Sequence, residues 1–338
     1  MSKILVTGGT GYVGSHTIVD LLEAGYEVIS IDNYVNSDSK SLQSIKEITD
    51  KNIHNYEVDL CDLQALEEVF KQNPDIVGII HFAALKSVGD SVADPVLYFR
   101  NNVVGLINLV DCTLKYKVEH FIFSSSCTVY GNTKELPVTE STPEQEAESP
   151  YGRTKQIGEK ILKDAFKNSN TKCIALRYFN PAGAHISNKL GESPVNKALN
   201  LVPVITETAI GKRDKMSVFG KDYDTRDGSC IRDYIHIMDL ADAHTKAISY
   251  LIENKQSTNF DTYNLGIGDG VSVLEAINAF EKVSGQKLNY SLGDRREGDV
   301  IAIYADYTKA KTNLGWIPKY GINEIMDTAW KWEQARSS

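Results

Sequence analysis

Tyr151 and Lys155 stand four residues apart in Ser149-Pro150-Tyr151-Gly152-Arg153-Thr154-Lys155. Pro150 suits the first turn of a helix, where its missing N–H would have had no partner anyway. On such a helix a spacing of four puts the phenol and the ammonium on one face. A cation beside a phenol favours the phenolate and lowers its pKa, which makes Tyr151 a candidate acid/base near neutrality. Pairs of this kind are frequent by chance, and the preceding segment gives this one its weight. Ser124-Ser125-Ser126-Cys127-Thr128-Val129-Tyr130-Gly131 places three hydroxyls at a predicted strand's carboxyl end. Core packing explains that cluster poorly, whereas holding a reacting oxygen explains it well. No G-x-S-x-G elbow surrounds the serines, so a serine hydrolase is excluded. Nothing local lowers the pKa of Cys127, which reads as buried filler.

A second constellation opens the chain. Thr7-Gly8-Gly9-Thr10-Gly11-Tyr12-Val13-Gly14 fits both Gly8-x-x-Gly11-x-x-Gly14 and Gly9-x-Gly11-x-x-Gly14. Either spacing permits a tight turn and close approach of a pyrophosphate to a helix N-terminus. The segment follows a strand and opens a helix that stops at Gly25, and a second strand then ends at Asp32. An acid at that strand tip accepts both ribose hydroxyls and repels an additional phosphate, so the expected cofactor is NAD and not NADP. The positive nicotinamide would add to Lys155 in favouring the Tyr151 phenolate, and the serine hydroxyls would orient the ring. Asp59, in Val58-Asp59-Leu60, is expected to end the third strand and meet the adenine edge, with helix capping as its competing role. Small residues in His81-Phe82-Ala83-Ala84 let a cofactor cross the sheet edge closely. His81 has no visible ligand partners, so it reads as a hydrogen-bonded structural histidine, and no metal site is expected.

The elements that must position these groups follow one rhythm over the first 180 residues. Apolar runs at 3–7, 27–33, 55–60, 76–84, 120–125 and 172–179 are strand-length, and several lack polar/apolar alternation, as a parallel sheet buried on both faces requires. Helix-compatible stretches separate them, the first over 15–24. The fold class is therefore α/β, a doubly wound, mostly parallel Rossmann-type sheet with sites at the strands' carboxyl ends, joined to a smaller mixed α/β domain. We expect a cofactor domain over 1–180 and a mainly substrate-binding domain over 181–338. A helix over 236–251 and a strand over 260–265 are expected to return to the first domain. Further helices are expected over 198–211, 271–282 and 323–334, and 217–233 reads as loop-rich.

Composition bounds the partners. The 338 residues carry a formal charge of −9, which argues against nucleic acid but leaves room for a local arginine cluster and a small anionic substrate. Apolar runs are too short to span a bilayer, and Ile4-Leu5-Val6 reads as a first strand rather than a signal peptide's apolar segment. The five scattered cysteines fit neither a disulfide framework nor a zinc spacing, so a cytoplasmic protein with reduced thiols is expected.

These stretches, together with RYFNPAGAH (177–185), GSCIRDYIHIMDLADAH (228–244), YNLGIGDGVSV (263–273) and REGDV (296–300), resemble the extended short-chain dehydrogenases/reductases, and within them the UDP-glucose 4-epimerase family. The resemblance runs essentially end to end. It implies that Tyr151 takes the proton of the sugar 4-hydroxyl while hydride passes from C4 to tightly held NAD. The 4-keto sugar then turns over and receives the hydride on its other face. Ser126 corresponds to the family serine on the 4-oxygen, and Lys155 also binds the nicotinamide ribose. The resemblance further places Tyr12, Val13, Asp32, Asn33, Asn36 and Ser37 around the diphosphate and adenosine ribose. It assigns Asp59, Leu60, Phe82, Ala83, Ala84, Lys86, Asn101 and Ser124 to the rest of the cofactor, with Tyr178 near the nicotinamide.

For a UDP-hexose substrate it implies Lys86, Asn180, Asn200, Leu201, Ser217, Phe219, Arg232, Tyr234, Arg296 and Asp299, besides Ser126 and Tyr151. Arg232 and Arg296 could neutralise the diphosphate. A homodimer is implied as well. Family members confined to glucose and galactose carry a bulky tyrosine where this chain has Ile303, and those that also accept N-acetylhexosamines carry a smaller residue. Isoleucine lies between, and some activity on N-acetylated substrates is expected. A nucleotide-sugar 4,6-dehydratase would need an acid pair where Cys127 and Thr128 stand, and neither donates a proton readily at neutral pH. A 4-epimerase of another UDP-sugar and a non-catalytic NAD-binding regulator remain as alternatives, the latter weakened by the presence of Tyr151, Lys155 and Ser126 together.

Overall fold

A computed structural model describes residues 2–194, 198–296 and 300–337. Seven strands form one sheet in the spatial order His54–Tyr56, Glu27–Ile31, Lys3–Thr7, Ile76–His81, His120–Ser126, Lys172–Tyr178, Phe260–Leu265. Every adjacent pair is parallel. Side chains alternate across this sheet, so both faces need apolar cover. Ile4 and Val6 face one core with the helices Tyr12–Glu23 and Ile237–Ile252. Leu5 faces the other core, with Leu63–Gln72, Gly105–Lys115 and Pro150–Phe166. Each such side chain, fully buried, contributes roughly 1.5–3 kcal/mol, which is why these runs carry few polar residues.

Strand order reverses on either side of Lys3–Thr7, and the crevice beyond that point is where doubly wound sheets bind ligands. The strands stop sooner than the sequence suggests. Glu27–Ile31, His54–Tyr56 and Ile76–His81 end before Asp32, Asp59 and Phe82, so those residues lie on the loops that follow and not within the strands. The first helix begins at Tyr12 rather than Ser15, which puts Gly14 inside its first turn.

Phe260–Leu265 completes the sheet beside Lys172–Tyr178, and Ile237–Ile252 packs against Tyr12–Glu23. The rest of the second half is assembled from small pieces. Asn180–Ala182 pairs with Tyr234–His236, and Met216–Phe219 with Tyr290–Gly293. Ile231–Arg232 lies between Val271–Ser272 and Ala302–Ile303. The expected loop over 217–233 therefore contains strand at both ends. The expected helix at 271 starts instead at Val273, because Ser272 caps it: its hydroxyl accepts from the Glu275 N–H while the Glu275 carboxylate accepts from the Ser272 N–H. Leu201–Ala209, Val273–Ser284 and Ile322–Ser337 enclose a third core around Phe280, Ile325 and Trp330. No helix among the described residues is long and apolar enough to cross a membrane.

Candidate active site

The glycine turn is tight on every side but one. Gly8 has φ +71°, and a Cβ there would stand 2.8 Å from the Ala83 nitrogen. A Cβ on Gly14 would stand 2.1 Å from the Gly8 carbonyl oxygen, and one on Gly9 2.2 Å from Ser30 Oγ. Gly11 meets only the Gly8 oxygen, at 3.2 Å, and it opens the helix with no side chain capping the first turn. Backbone N–H groups at such an end attract a pyrophosphate. Asp32 stands beside them. It accepts from Thr10 N, Tyr34 N and Ser37 Oγ, which holds the carboxylate beside the turn. The donor set and the shape of the turn fit NAD.

The remaining cofactor candidates gather on the neighbouring loops. Asn33 donates to Asp59, whose second oxygen accepts from Cys61 N, and Asn36 is exposed in the loop after Asp32. The helix that follows Asp59 is capped by Asp62, so the competing role for Asp59 falls away. Leu60 is buried in the core. The Phe82 ring lies 4.7 Å from the His244 ring, and Tyr178 flanks the same histidine at 5.9 Å. Tyr12 Oη donates to the Gly183 carbonyl, tying the turn to the second half. Asn101 donates to Asn102 in a π-helical segment, Arg100–Val104. Asn102, missed in the sequence, accepts from Leu85 N and donates to Leu85 O and Thr154, linking the fourth loop to the tyrosine helix. A π-turn of this kind leaves no spacing signal.

The helix Pro150–Phe166 is capped by Ser149 Oγ, which accepts from Gly152 N. Tyr151 and Lys155 share its inward face. Lys155 Nζ donates to the Ser124 carbonyl at 2.6 Å and lies 5.8 Å from the Tyr151 ring centroid. Ser124 and Tyr178 share a hydrogen bond between their hydroxyls. Ser126 ends the strand and accepts from Thr128 N. The expected lowering of the Tyr151 pKa is not found in the protein alone. Burial pushes the phenol up, Tyr178 adds to the rise, and the Ser126 hydrogen bond offsets only part. Burial likewise pushes Lys155 down to about 8 against the pull of Glu159. Sequence spacing placed the pair correctly but said nothing of desolvation, which comes from distant segments. Burial also pushes Cys127 up to about 11 and His81 down to about 3. The former disfavours a thiolate, and the latter keeps the imidazole neutral beside Thr7 Oγ1.

Across the crevice lie the sugar-side candidates. Ile303 pairs with Arg232 and packs in a small core with Phe179 and the Cys127 side chain. Arg296 stands over the half-exposed Phe219 ring at 5.6 Å, with Ser217 on the same strand. Asn180 pairs with Tyr234, whose ring is buried in the third core. Asn200 N-caps the helix begun by Leu201, and with Lys86 it donates to the Glu192 carboxylate. Asp299 lies outside the described residues. Asp233 was not singled out in the sequence. Its buried carboxylate accepts from Ile267 N, Gly268 N and Ala305 N, and so ties Arg232 and Tyr234 to the segment that carries Ile303. Among the described residues no group of three or more His, Cys, Asp or Glu side chains could hold a metal ion.

Comparison with known proteins agrees with this architecture. The family model described as GDP-mannose 4,6 dehydratase matches residues 5–329. The UDP-glucose 4-epimerase of Bacillus subtilis (strain 168) is 48% identical over 333 residues, which cover 98% of this chain and 97% of that protein. The crystal structure of UDP-glucose 4-epimerase from Bifidobacterium longum, in complex with NAD+ and UDP, superposes with a TM-score of 0.94 at 42% identity, covering 99% of both chains. The UDP-Glc/GlcNAc 4-epimerase of Campylobacter jejuni superposes with a TM-score of 0.85 at 38% identity, covering 99% of this chain and 100% of that one. By extent of match and by fold, this chain belongs to the UDP-glucose 4-epimerase family of the extended short-chain dehydrogenases/reductases.

Proposed function

We infer that this chain interconverts UDP-glucose and UDP-galactose by transient oxidation of the hexose at C4, with NAD as a resident cofactor. The observation that carries this reading is the meeting of Tyr151, Lys155 and Ser126 at the strand tips beside the glycine turn. NAD, when bound, supplies the hydride acceptor and donor. Tyr151 Oη removes the proton of the 4-hydroxyl and later returns it, and Ser126 Oγ holds the 4-oxygen between the two events. Lys155, as ammonium, favours the phenolate against the burial that opposes it, and the cationic nicotinamide acts in the same direction. Gly8, Gly11, Gly14, Tyr12, Val13 and Asp32 grip the diphosphate and ribose. Arg232 and Arg296 neutralise the substrate diphosphate, and Phe219 offers a flat apolar surface to the base. Incubation of purified protein with UDP-galactose, without added NAD or metal, should yield UDP-glucose. Absence of product from cofactor-loaded protein overturns the reading.

Ile303 favours a second activity on UDP-N-acetylglucosamine, weaker than the first, because its side chain leaves more room than a tyrosine. The Campylobacter jejuni relative, whose name includes both substrates, supports this reading. The kcat/KM ratio for the two UDP-sugars tests it, and no detectable N-acetyl turnover refutes it.

The working assembly we propose is a homodimer. Val92, Val96, Leu97, Val104, Ile107 and Leu114 are exposed along residues 88–115, apolar side chains that a second copy of the chain would cover. A monomeric mass by light scattering would refute it. We divide the chain at residue 180 into a cofactor part and a sugar part, with 237–252 and 260–265 returning to the first. The half-exposed free thiol of Cys61 fits a reducing, cytoplasmic setting.

A further inference from the structure

The tyrosine helix carries a third group at the same spacing. Glu159 follows Lys155 by four residues and Tyr151 by eight, and it is 4% exposed. Its carboxylate accepts from Ser125 Oγ at 2.5 Å and from Arg177 through Nε at 2.9 Å and Nη2 at 2.5 Å. Ser125 and Arg177 are register partners on adjacent strands. Arg177 also donates to Tyr130 Oη at 3.1 Å, and that hydroxyl donates to Asn264 on the last strand of the sheet.

Strand alternation gives this cluster its meaning. Ser125 and Arg177 project towards the tyrosine helix, whereas Ser124, Ser126 and Tyr178 project from the opposite face. Ser125 and Arg177 are thus immediate chain neighbours of residues of the reactive site, and Glu159 lies one helical turn from Lys155. A buried ion pair is weak evidence for stability, since a well-packed apolar pair often does as well. Its bidentate geometry does fix direction and distance, which apolar packing would not. We propose, on the basis of the epimerase reading above, that Glu159 is a positioning residue for the reaction. Through Ser125 and Arg177 it locks the helix bearing Tyr151 and Lys155 to the strand tips bearing Ser124, Ser126 and Tyr178.

The same carboxylate has an electrostatic consequence. Burial drives Lys155 towards the neutral amine, and the charge of Glu159 opposes it. The other groups about Lys155 do not replace that charge. Tyr151, Tyr178 and Tyr98 have their phenols pushed up by burial, His81 and His244 are held neutral, and Arg177 is a cation. Glu144 also accepts from Arg177 Nη2, at 3.4 Å, and its charge is shared with that guanidinium. Glu159 therefore keeps Lys155 protonated where Tyr151 needs a cation.

The test uses the cofactor-loaded protein with carbon-13-labelled lysine, the Lys155 signal being identified by its loss in Lys155→Met. In Glu159→Gln, Lys155 should lose its proton at about tenfold higher proton concentration than in the parent. The alkaline limb of kcat should move with it, while KM for UDP-galactose stays within about twofold. Glu159→Asp keeps the charge but shortens the arm, so its limb should stay in place while kcat falls about tenfold or more. A merely structural role would lower thermal stability and kcat at every pH without moving the lysine titration. An unshifted Lys155 in Glu159→Gln overturns the proposal. If that variant does not fold, parental kcat in Glu159→Asp overturns it instead. If the parent fails to convert UDP-galactose, the epimerase reading falls, and the lysine titration still decides the role of Glu159.

Discussion

Around Gly8 and Gly14 an added Cβ collides with main chain, whereas Arg232 and Arg296, the groups proposed for the sugar side, are long side chains on a two-residue strand and a loop. The cofactor side is thus made of backbone, held by a seven-stranded sheet with cores on both faces. The sugar side is made of side chains, presented by sheets of two or three short strands. Backbone cradles fail abruptly, because no rotamer relieves a clash with a carbonyl. Side-chain contacts fail gradually, because neighbours and water take up part of the loss. A cofactor that never leaves and a hexose that must turn over within its pocket make opposite demands of this kind.

The contrast can be broken at four points. Tyr151→Phe should retain NAD, seen in the protein's absorbance, yet lose about a thousandfold in kcat, since acid/base groups contribute roughly 10²–10⁴-fold. Near-parental turnover would dismiss the proton role. Gly14→Ala should lose bound NAD almost entirely and lower stability by about 1–3 kcal/mol, read from cofactor content and Tm. Full NAD occupancy in that variant would show the turn to be less rigid than its geometry implies. Arg296→Ala should raise KM for UDP-galactose about ten- to a hundredfold, with kcat within a fewfold and NAD content unchanged. If NAD were lost too, the two sides would not be separable. Ile303→Tyr should have the smallest effect, abolishing N-acetyl turnover while leaving glucose and galactose kinetics within about threefold. Gain of N-acetyl activity would reverse the assignment of Ile303.

The same difference explains what the sequence disclosed. The glycine spacing and most of the apolar runs were legible because local rules govern them: a turn needs glycine, and a strand buried on both faces is mostly apolar, whereas the edge strand His54–Tyr56 is short, polar and partly exposed. Tyr151 and Lys155 were legible as a pair for the same reason. What surrounds them was not. Burial lifts Tyr151 and lowers Lys155, and Tyr178 and Tyr98, which add to the rise of Tyr151, come from other segments that only the folded sheet and helices bring together. Asp233 read as one more polar residue in a loop-rich stretch, yet it accepts three backbone N–H bonds from segments beyond residue 265. The arginines of the sugar side gained their meaning from family resemblance, since an isolated arginine on a loop has no period to betray it.

The strand Phe260–Leu265 has a consequence for how the chain is made. It covers one edge of Lys172–Tyr178, the strand that ends beside the reactive site. During synthesis the preceding six strands exist well before it does, and their outermost member then shows a bare row of amide and carbonyl groups. Such an edge invites pairing with a neighbouring nascent chain. A fragment ending near residue 180 would keep that edge permanently, and should aggregate rather than serve as a freestanding nucleotide-binding unit.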